Sequence, residues 1–424
     1  MHSSPQKSAF ASALAPFSVR SFRYQWPADL TTSWAFEMET LILGWYVLVE
    51  TRSVFMLTLF ASLQYVGTLI SPMFGVMGDR LGHRNVLAAM RAVYATCAAT
   101  LMVLVFTGAL TPMYVLIIAA ITGLVRPSDV GVRAALTGDT MPPGQLIGAM
   151  GIQRTTQDSA KIAGALTGAG LVALLGMGPA YAAVTGFYIL SVLFTLNAGT
   201  TGTAHHEYHR PARINTVSPW RDLREGMVYV WNTPLMLATM CLAFLLNLTA
   251  FPLMNSLMPV VAKEIFQTGQ TGLGYLSAAG AGGALVGSLL LSRMAHKVGA
   301  ARTMIIFAFA WYLSLMVFAQ TTHQSAGIPL LMLAGMSQAT CLVPMLAMIL
   351  RNSDQHMRGR IMGIRMLAIY GNIPGLLIAG PLIANFSYPT MASIFCVFGM
   401  VMTLIVTLRW RTQLWRRDAP ANRR

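Results

Sequence analysis

Apolar residues run through this chain in blocks of roughly 17 to 25, the length that crosses a bilayer as a helix. Six blocks are plain: Val54–Met77, Tyr181–Ala198, Pro234–Ala262, Gly272–Ser292, Thr303–Thr322 and Ala326–Leu350. Ala92–Thr107 is clean but short, and Met366–Ala384 and Met391–Leu408 end the series. Three further blocks carry charges: Leu30–Val49 holds Glu37 and Glu39, Ala109–Val125 runs into Arg126, and Gln145–Leu175 contains Arg154, Asp158 and Lys161. The pattern predicts an all-α integral membrane protein of twelve spans in two six-helix halves.

The longest polar stretch separates the halves. The expected organisation is a leader at 1–29, a first half at 30–198, a central loop at 199–233, a second half at 234–408 and a basic tail at 409–424. The small-residue run Ser8–Ala15 is followed by Arg20 and Arg23, which reads as a cytoplasmic leader rather than a cleaved signal. His205, His206 and His209 share the central loop, but no carboxylate or thiol set completes a metal site around them.

Composition sharpens this reading. Apolar residues make up 55% of the chain and charged residues 10%, too few charges to cover a soluble protein of 424 residues. The net charge of +15 comes without a nucleic-acid-binding motif. Lys and Arg instead collect in loops on one side of the twelve spans, and only Arg52 and Lys263 fall on the other. That asymmetry predicts both termini in the cytoplasm. Cys97, Cys241, Cys341 and Cys396 each lie inside an apolar run, as small packing residues do.

After span two comes Gly75-Val76-Met77-Gly78-Asp79-Arg80-Leu81-Gly82-His83-Arg84. Gly75 and Gly78 suit close helix approach, and Gly82 suits a tight turn. Asp79 suits a helix N-terminus, and Arg80 and Arg84 suit acids or lipid phosphate. A degenerate second copy, Ser292-Arg293-Met294-Ala295-His296-Lys297, follows span eight.

The first motif resembles the loop between helices two and three of the major facilitator superfamily, G-x-L-[AG]-D-R-x-G-R-[RK], with Met77 in place of Leu and His83 in place of the first final basic residue. Within that family, three stretches resemble enterobactin-exporter-like efflux permeases: Arg126-Pro127 with Arg133–Leu136, Lys161–Gly168, and Arg358–Gly363. Lys161 stands where that branch has Arg, Ala165 where it has the Pro of the antiporter motif, and Asp129 where it has a basic residue. The resemblance implies a gate formed by Gly75, Gly78, Asp79, Arg80, Gly82 and Arg84, with Asp79 engaging the start of helix eleven near Arg360–Gly363. It also makes Gly164 and Gly168 a helix-five motif.

Charged residues near spans four and five form a second candidate set. Arg126, Asp129 and Arg133 pair with one another past the end of helix four, or Asp129 reaches Arg84 and Arg133 reaches Asp139. Arg154, Asp158 and Lys161 share one face of helix five. Glu37 and Glu39 lie well inside helix one, where an ionised acid costs roughly 2.5 to 3.5 kcal/mol on insertion scales. They point about 200° apart. Ser33, Glu37, Thr40 and Gly44 form one stripe, and Thr32, Glu39 and Tyr46 another. Both acids are candidates for proton coupling, with Glu37 first because its stripe is the more polar.

No nucleotide-binding or catalytic motif is present, so the chain is expected to be no enzyme and to need no metal or cofactor. With the resemblance, the expectation is a monomeric secondary transporter in the inner (plasma) membrane. It would export a small amphipathic molecule, such as a drug, metabolite or siderophore, in exchange for protons. An importer or a lipid transporter of the same fold remains open. Partners are then substrate, protons and the bilayer, with no nucleic acid.

Overall fold

In a bilayer every backbone N–H and C=O must be bonded within the segment, so continuous helix is the expected outcome for such apolar blocks. The computed structural model describes residues 15–199, 219–294, 299–353 and 358–414, and all regular elements among them are helical. Among the described residues ten helices are long and apolar enough to cross a membrane, and a bent pair, Val54–Ile70 with Met73–Leu81, makes an eleventh if it is one span. The 32-residue helix Arg20–Thr51, about 48 Å long, completes the expected twelve.

Three expected boundaries move. Span one begins at Arg20, so the division at residue 29/30 falls inside a helix. Span two bends by 58° between Ile70 and Met73 instead of running straight. Span four is one helix from Pro112 to Thr140, through Pro127, rather than ending at Val125. Hydropathy stops at the first arginine, but a helix continues wherever its charges find partners.

Contacts divide the chain into two units, Met1–Ile42 with Leu69–Thr216, and Leu43–Thr68 with Val217–Arg424. The end of span one and the start of span two therefore pack with the second unit, not with the first half in which the sequence division places them.

In the second unit, small residues set the spacing. A Cβ on Gly283 or Gly287 would collide with the backbone of Met332 or Met336. Spans eight (Gln270–Met294) and ten (Gln324–Arg351) thus touch main chain to main chain. Asn372 Nδ2 donates to Asn247 Oδ1 at 2.8 Å, and Thr249 and Tyr312 share a hydroxyl–hydroxyl bond of 2.8 Å. Trp311 and Tyr312 are fully buried packing residues.

Candidate functional site

In the first unit, buried charge gathers on five helices. Span three (His83–Phe106) contributes Arg91, span five (Pro143–Leu175) Gln153, and span six (Met177–Asn197) Tyr188 and Thr195. Spans one and four contribute the rest.

Asp29 is the hub. Its Oδ1 accepts from Arg91 Nη2 at 2.5 Å and lies 3.4 Å from Arg133 Nε, while its Oδ2 accepts from Gln153 Nε2 at 2.9 Å. Arg133 also pairs with Asp129, one turn before it on span four. Side-chain exposure is 2% for Asp29, 1% for Arg91 and 7% for Asp129 and Arg133. Two acids and two arginines make the cluster neutral, which is what allows it to be buried.

Spans one and four face each other along an antiparallel ladder. Gln25 bonds Thr137 and Thr140, and Asp29 meets Arg133. Higher up, Arg133 reaches Ser33 at 3.5 Å, and Arg126 lies over the Phe36 ring and donates to Thr40 Oγ1 at 2.9 Å. Each step up span one is matched by a step down span four. The polar stripe Ser33–Glu37–Thr40 therefore faces the arginines of span four, and it extends back through Asp29 to Gln25.

The second stripe of span one faces span six. Thr32 bonds Ser191, and Tyr188 OH donates to Glu39 Oε2 at 2.8 Å. Glu39 is 7% exposed and Tyr188 1%. Arg126 acts electrostatically on both Glu39 and Glu37. Glu37 is half-buried, and no hydrogen-bond donor to it is found among the described residues.

Gly164 and Gly168 let span five approach span one. A Cβ on Gly164 would come within 2.7 Å of Glu37 Cβ, and one on Gly168 within 3.0 Å of Met38 Cα. Trp34 Nε1 donates to Thr167 Oγ1 at 2.8 Å and Trp26 Nε1 to Thr156 Oγ1 at 2.9 Å, so the two helices run in parallel register.

Of the two expected arrangements, the local Asp129–Arg133 pair forms and the longer-range pairs with Arg84 and Asp139 do not. Arg126, Asp129 and Arg133 lie inside span four, not past its end. Asp129 pairs with Arg133 rather than Arg84, and Asp139 accepts from His83 Nδ1 at 2.7 Å rather than from Arg133. Arg154 pairs with Asp158 at 3.1 Å, whereas Lys161, on the same face, is exposed and outside that pair.

The motif expected as a loop after span two is mostly helical: Gly75–Leu81 end span two, Gly82 alone makes the turn, and His83 and Arg84 begin span three. Gly82 adopts φ +85, a conformation that only glycine takes without strain. Arg84 reaches the carbonyls of Leu196 and Ala198, both at 3.5 Å, where a cation meets the C-terminus of span six. Gly78 makes room for the ring of His83 at the start of span three, and a Cβ added at Gly75 would meet nothing within 4 Å. Asp79 is 74% exposed and lies 3.6 Å from His83 Nε2, and Arg80 is exposed. The side chain of Arg360, the expected partner of Asp79, lies outside the described residues, as do His205, His206, His209, His296 and Lys297.

Asp29, Arg91, Gln25 and Gln153 are functional candidates that sequence reasoning misses. Asp29 and Gln25 fall in the segment expected to be leader, and Arg91 sits one residue before the apolar block of span three. The signal that could have found Asp29 and Gln25 is the stripe itself, which continues backwards from Ser33 in steps of four.

No curated protein is a detectable sequence relative of the chain. Solved structures share its fold at low identity. A POT family transporter, PepTSo, has a TM-score of 0.71 and 14% identity, covering 94% of this chain and 99% of its own. The nucleoside transporter NupG has a TM-score of 0.68 and 15% identity, covering 94% and 100%. A bacterial homolog of the human lysosomal transporter Spinster has a TM-score of 0.66 and 12% identity, covering 99% and 100%. The family model described as Major Facilitator Superfamily matches residues 9–371 and 240–423. With twelve helices in that fold and a family match along most of its length, the chain belongs to the Major Facilitator Superfamily.

Proposed function

We propose that this chain is a proton-coupled secondary transporter of the inner membrane, with both termini cytoplasmic, that exports a small amphipathic molecule by alternating access. One arrangement carries the reading: two carboxylates of span one, Glu37 and Glu39, both lie within electrostatic reach of one guanidinium, that of Arg126, in a cluster of helices. With both acids ionised, the group carries one uncompensated negative charge at a depth where charge is costly. A proton or a substrate cation removes that charge, so the two compete for it, which is the requirement for exchange.

Of the two acids, Glu39 already accepts from Tyr188, whereas no donor to Glu37 is found among the described residues, and Glu37 is less buried. Glu37 is thus the site of exchange, and Glu39 balances Arg126. The transporter folds named above are consistent with a small-molecule cargo, which the proposal takes as its substrate class.

The test is reconstitution into proteoliposomes with an internal pH dye and a panel of amphipathic cations. Substrate-dependent proton movement against the direction of substrate flow supports export by exchange. Co-directional movement would instead identify an importer, and lipid scrambling a lipid transporter. Glu37→Gln should abolish substrate-driven proton flux, and Glu39→Gln should weaken it. Wild-type coupling in both variants would remove helix one from the proton path.

A further inference from the structure

Two carboxylates meet one histidine at the end of the first unit that the loop charges assign to the cytoplasm. His83 Nδ1 lies 2.7 Å from Asp139 Oδ2, and His83 Nε2 lies 3.6 Å from Asp79 Oδ1. Each residue belongs to a different helix. Asp79 sits in the last turn of Ser71–Leu81 in span two, His83 is the first residue of span three, and Asp139 sits in the last turn of span four. The imidazole is fixed between them. Its side chain is 12% exposed, and it fills the space beside Gly78, where a Cβ would come within 2.4 Å of His83 Cδ2. The other charged groups of this turn are Arg80 on span two, which is exposed, and Arg84 on span three, which reaches the carbonyls of Leu196 and Ala198 on the side of span six.

A neutral imidazole carries one N–H. It donates to one acid and turns a lone pair towards the other. Protonated, it has a donor for each. The 3.6 Å contact with Asp79 is an ion-pair distance and too long for a hydrogen bond, so a second N–H is what draws it in. Both acids also lie at helix C-termini, where the dipole disfavours an anion, and a cation between them relieves both ends. The motif that this segment resembles has a basic residue at position 83, whereas histidine changes charge between about pH 5 and pH 8.

We infer that His83 is a positioning residue that makes the junction between the ends of spans two and four depend on pH. With its proton, the ring holds Asp79 and Asp139 together. Without it, the ring keeps one acid and releases the other, and the end of span two separates from span four. The device senses the pH on its own side of the membrane and is distinct from the acids of span one.

Paired spin labels test this without a substrate. One goes at Leu81, which is 60% exposed at the end of span two, and one at Gly138 on span four, where an added Cβ meets nothing within 4 Å. Distances are measured by pulsed electron resonance on purified full-length protein whose native cysteines are replaced by alanine. In otherwise wild-type protein the ratio of close to separated populations should fall at least about fivefold between about pH 5 and pH 8. His83→Gln should give one distribution at both pH values, and His83→Arg should keep the close population at both. Asp139→Asn should shrink the response, because the ring then joins no anion on span four.

A wild-type distribution that is the same at both pH values overturns the inference. So does a pH response that survives in His83→Gln or His83→Arg, or that is undiminished in Asp139→Asn. None of these measurements involves Glu37, a substrate or proton flux, so the export reading stands or falls separately.

Discussion

Lys263 Nζ donates to the Leu48 carbonyl at 3.0 Å, the same oxygen that accepts the Arg52 N–H at 3.1 Å. A cation at a helix C-terminus adds a second bond to such a carbonyl and interacts favourably with the dipole there. The contact brings together, within the second unit, the two basic residues that loop-charge counting assigns to the outer face. Cysteines introduced at Arg52 and Lys263 should both be labelled by an impermeant thiol reagent in intact cells, and one at Asn215 should not. Labelling at Asn215 would invert the topology.

The Asp29–Arg91 pair predicts a strongly non-additive response. Arg91→Met leaves a carboxylate in a buried cluster with one fewer cation, and should destabilise the protein by about 3 to 5 kcal/mol. Asp29→Asn in that background should recover much of the loss, because the cluster regains neutrality. Thermal midpoints of the two single variants and the double variant in detergent measure this coupling, and simple additivity would count against a closed network.

Tyr188 and Glu39 should respond unequally. Tyr188→Phe deletes the donor and leaves a buried carboxylate oxygen unsatisfied, at a cost of about 1 to 3 kcal/mol. Glu39→Gln keeps an oxygen that can accept from Tyr188 and should cost less. A larger loss of thermal stability in Glu39→Gln than in Tyr188→Phe would show that the hydrogen bond is not what holds the pair.

Two glycines of sequence motifs should part company. Gly164→Ala places a methyl group 2.7 Å from Glu37 Cβ and 3.0 Å from the Trp34 carbonyl, so spans one and five must separate. Overpacking of this kind costs about 1 to 3 kcal/mol, and transport should fall with it. Gly75→Ala meets open space and should be silent in both stability and transport. A damaging Gly75→Ala would reveal a contact made in another conformation.

Asp79 offers a test of the gate reading. Its side chain is 74% exposed, so Asp79→Asn should leave expression and thermal stability near wild type. If the anion stabilises one state at a helix terminus, the dipole supplies about 0.3 to 1 kcal/mol, enough to move a balanced equilibrium several-fold. Transport rate should fall by that factor, and an unchanged rate would leave Asp79 as a loop charge.

Much of this architecture was legible in one dimension. Block length counted the spans, because the bilayer demands about 20 apolar residues per helix whatever the neighbours are. The side to which arginines and lysines fall predicts an orientation, since that bias acts on loops rather than on packing. The acids of span one stood out because an ionised group in an apolar block is costly wherever it points.

Tertiary structure alone decided which charges neutralise one another. Arg126, Asp129 and Arg133 end span four on hydropathy, yet the helix runs on to Thr140 because Asp29 and Thr40, about a hundred residues away in sequence, receive those arginines. Arg91 and Gln153 converge on Asp29 from two further helices. Glu37 and Glu39, two residues apart, acquire different partners because a 200° turn points them at different neighbours. Periodicity along one helix ranks its faces by polarity, but a buried charge is stabilised by the register and rotation of the helices around it, and those are set only when the helices pack.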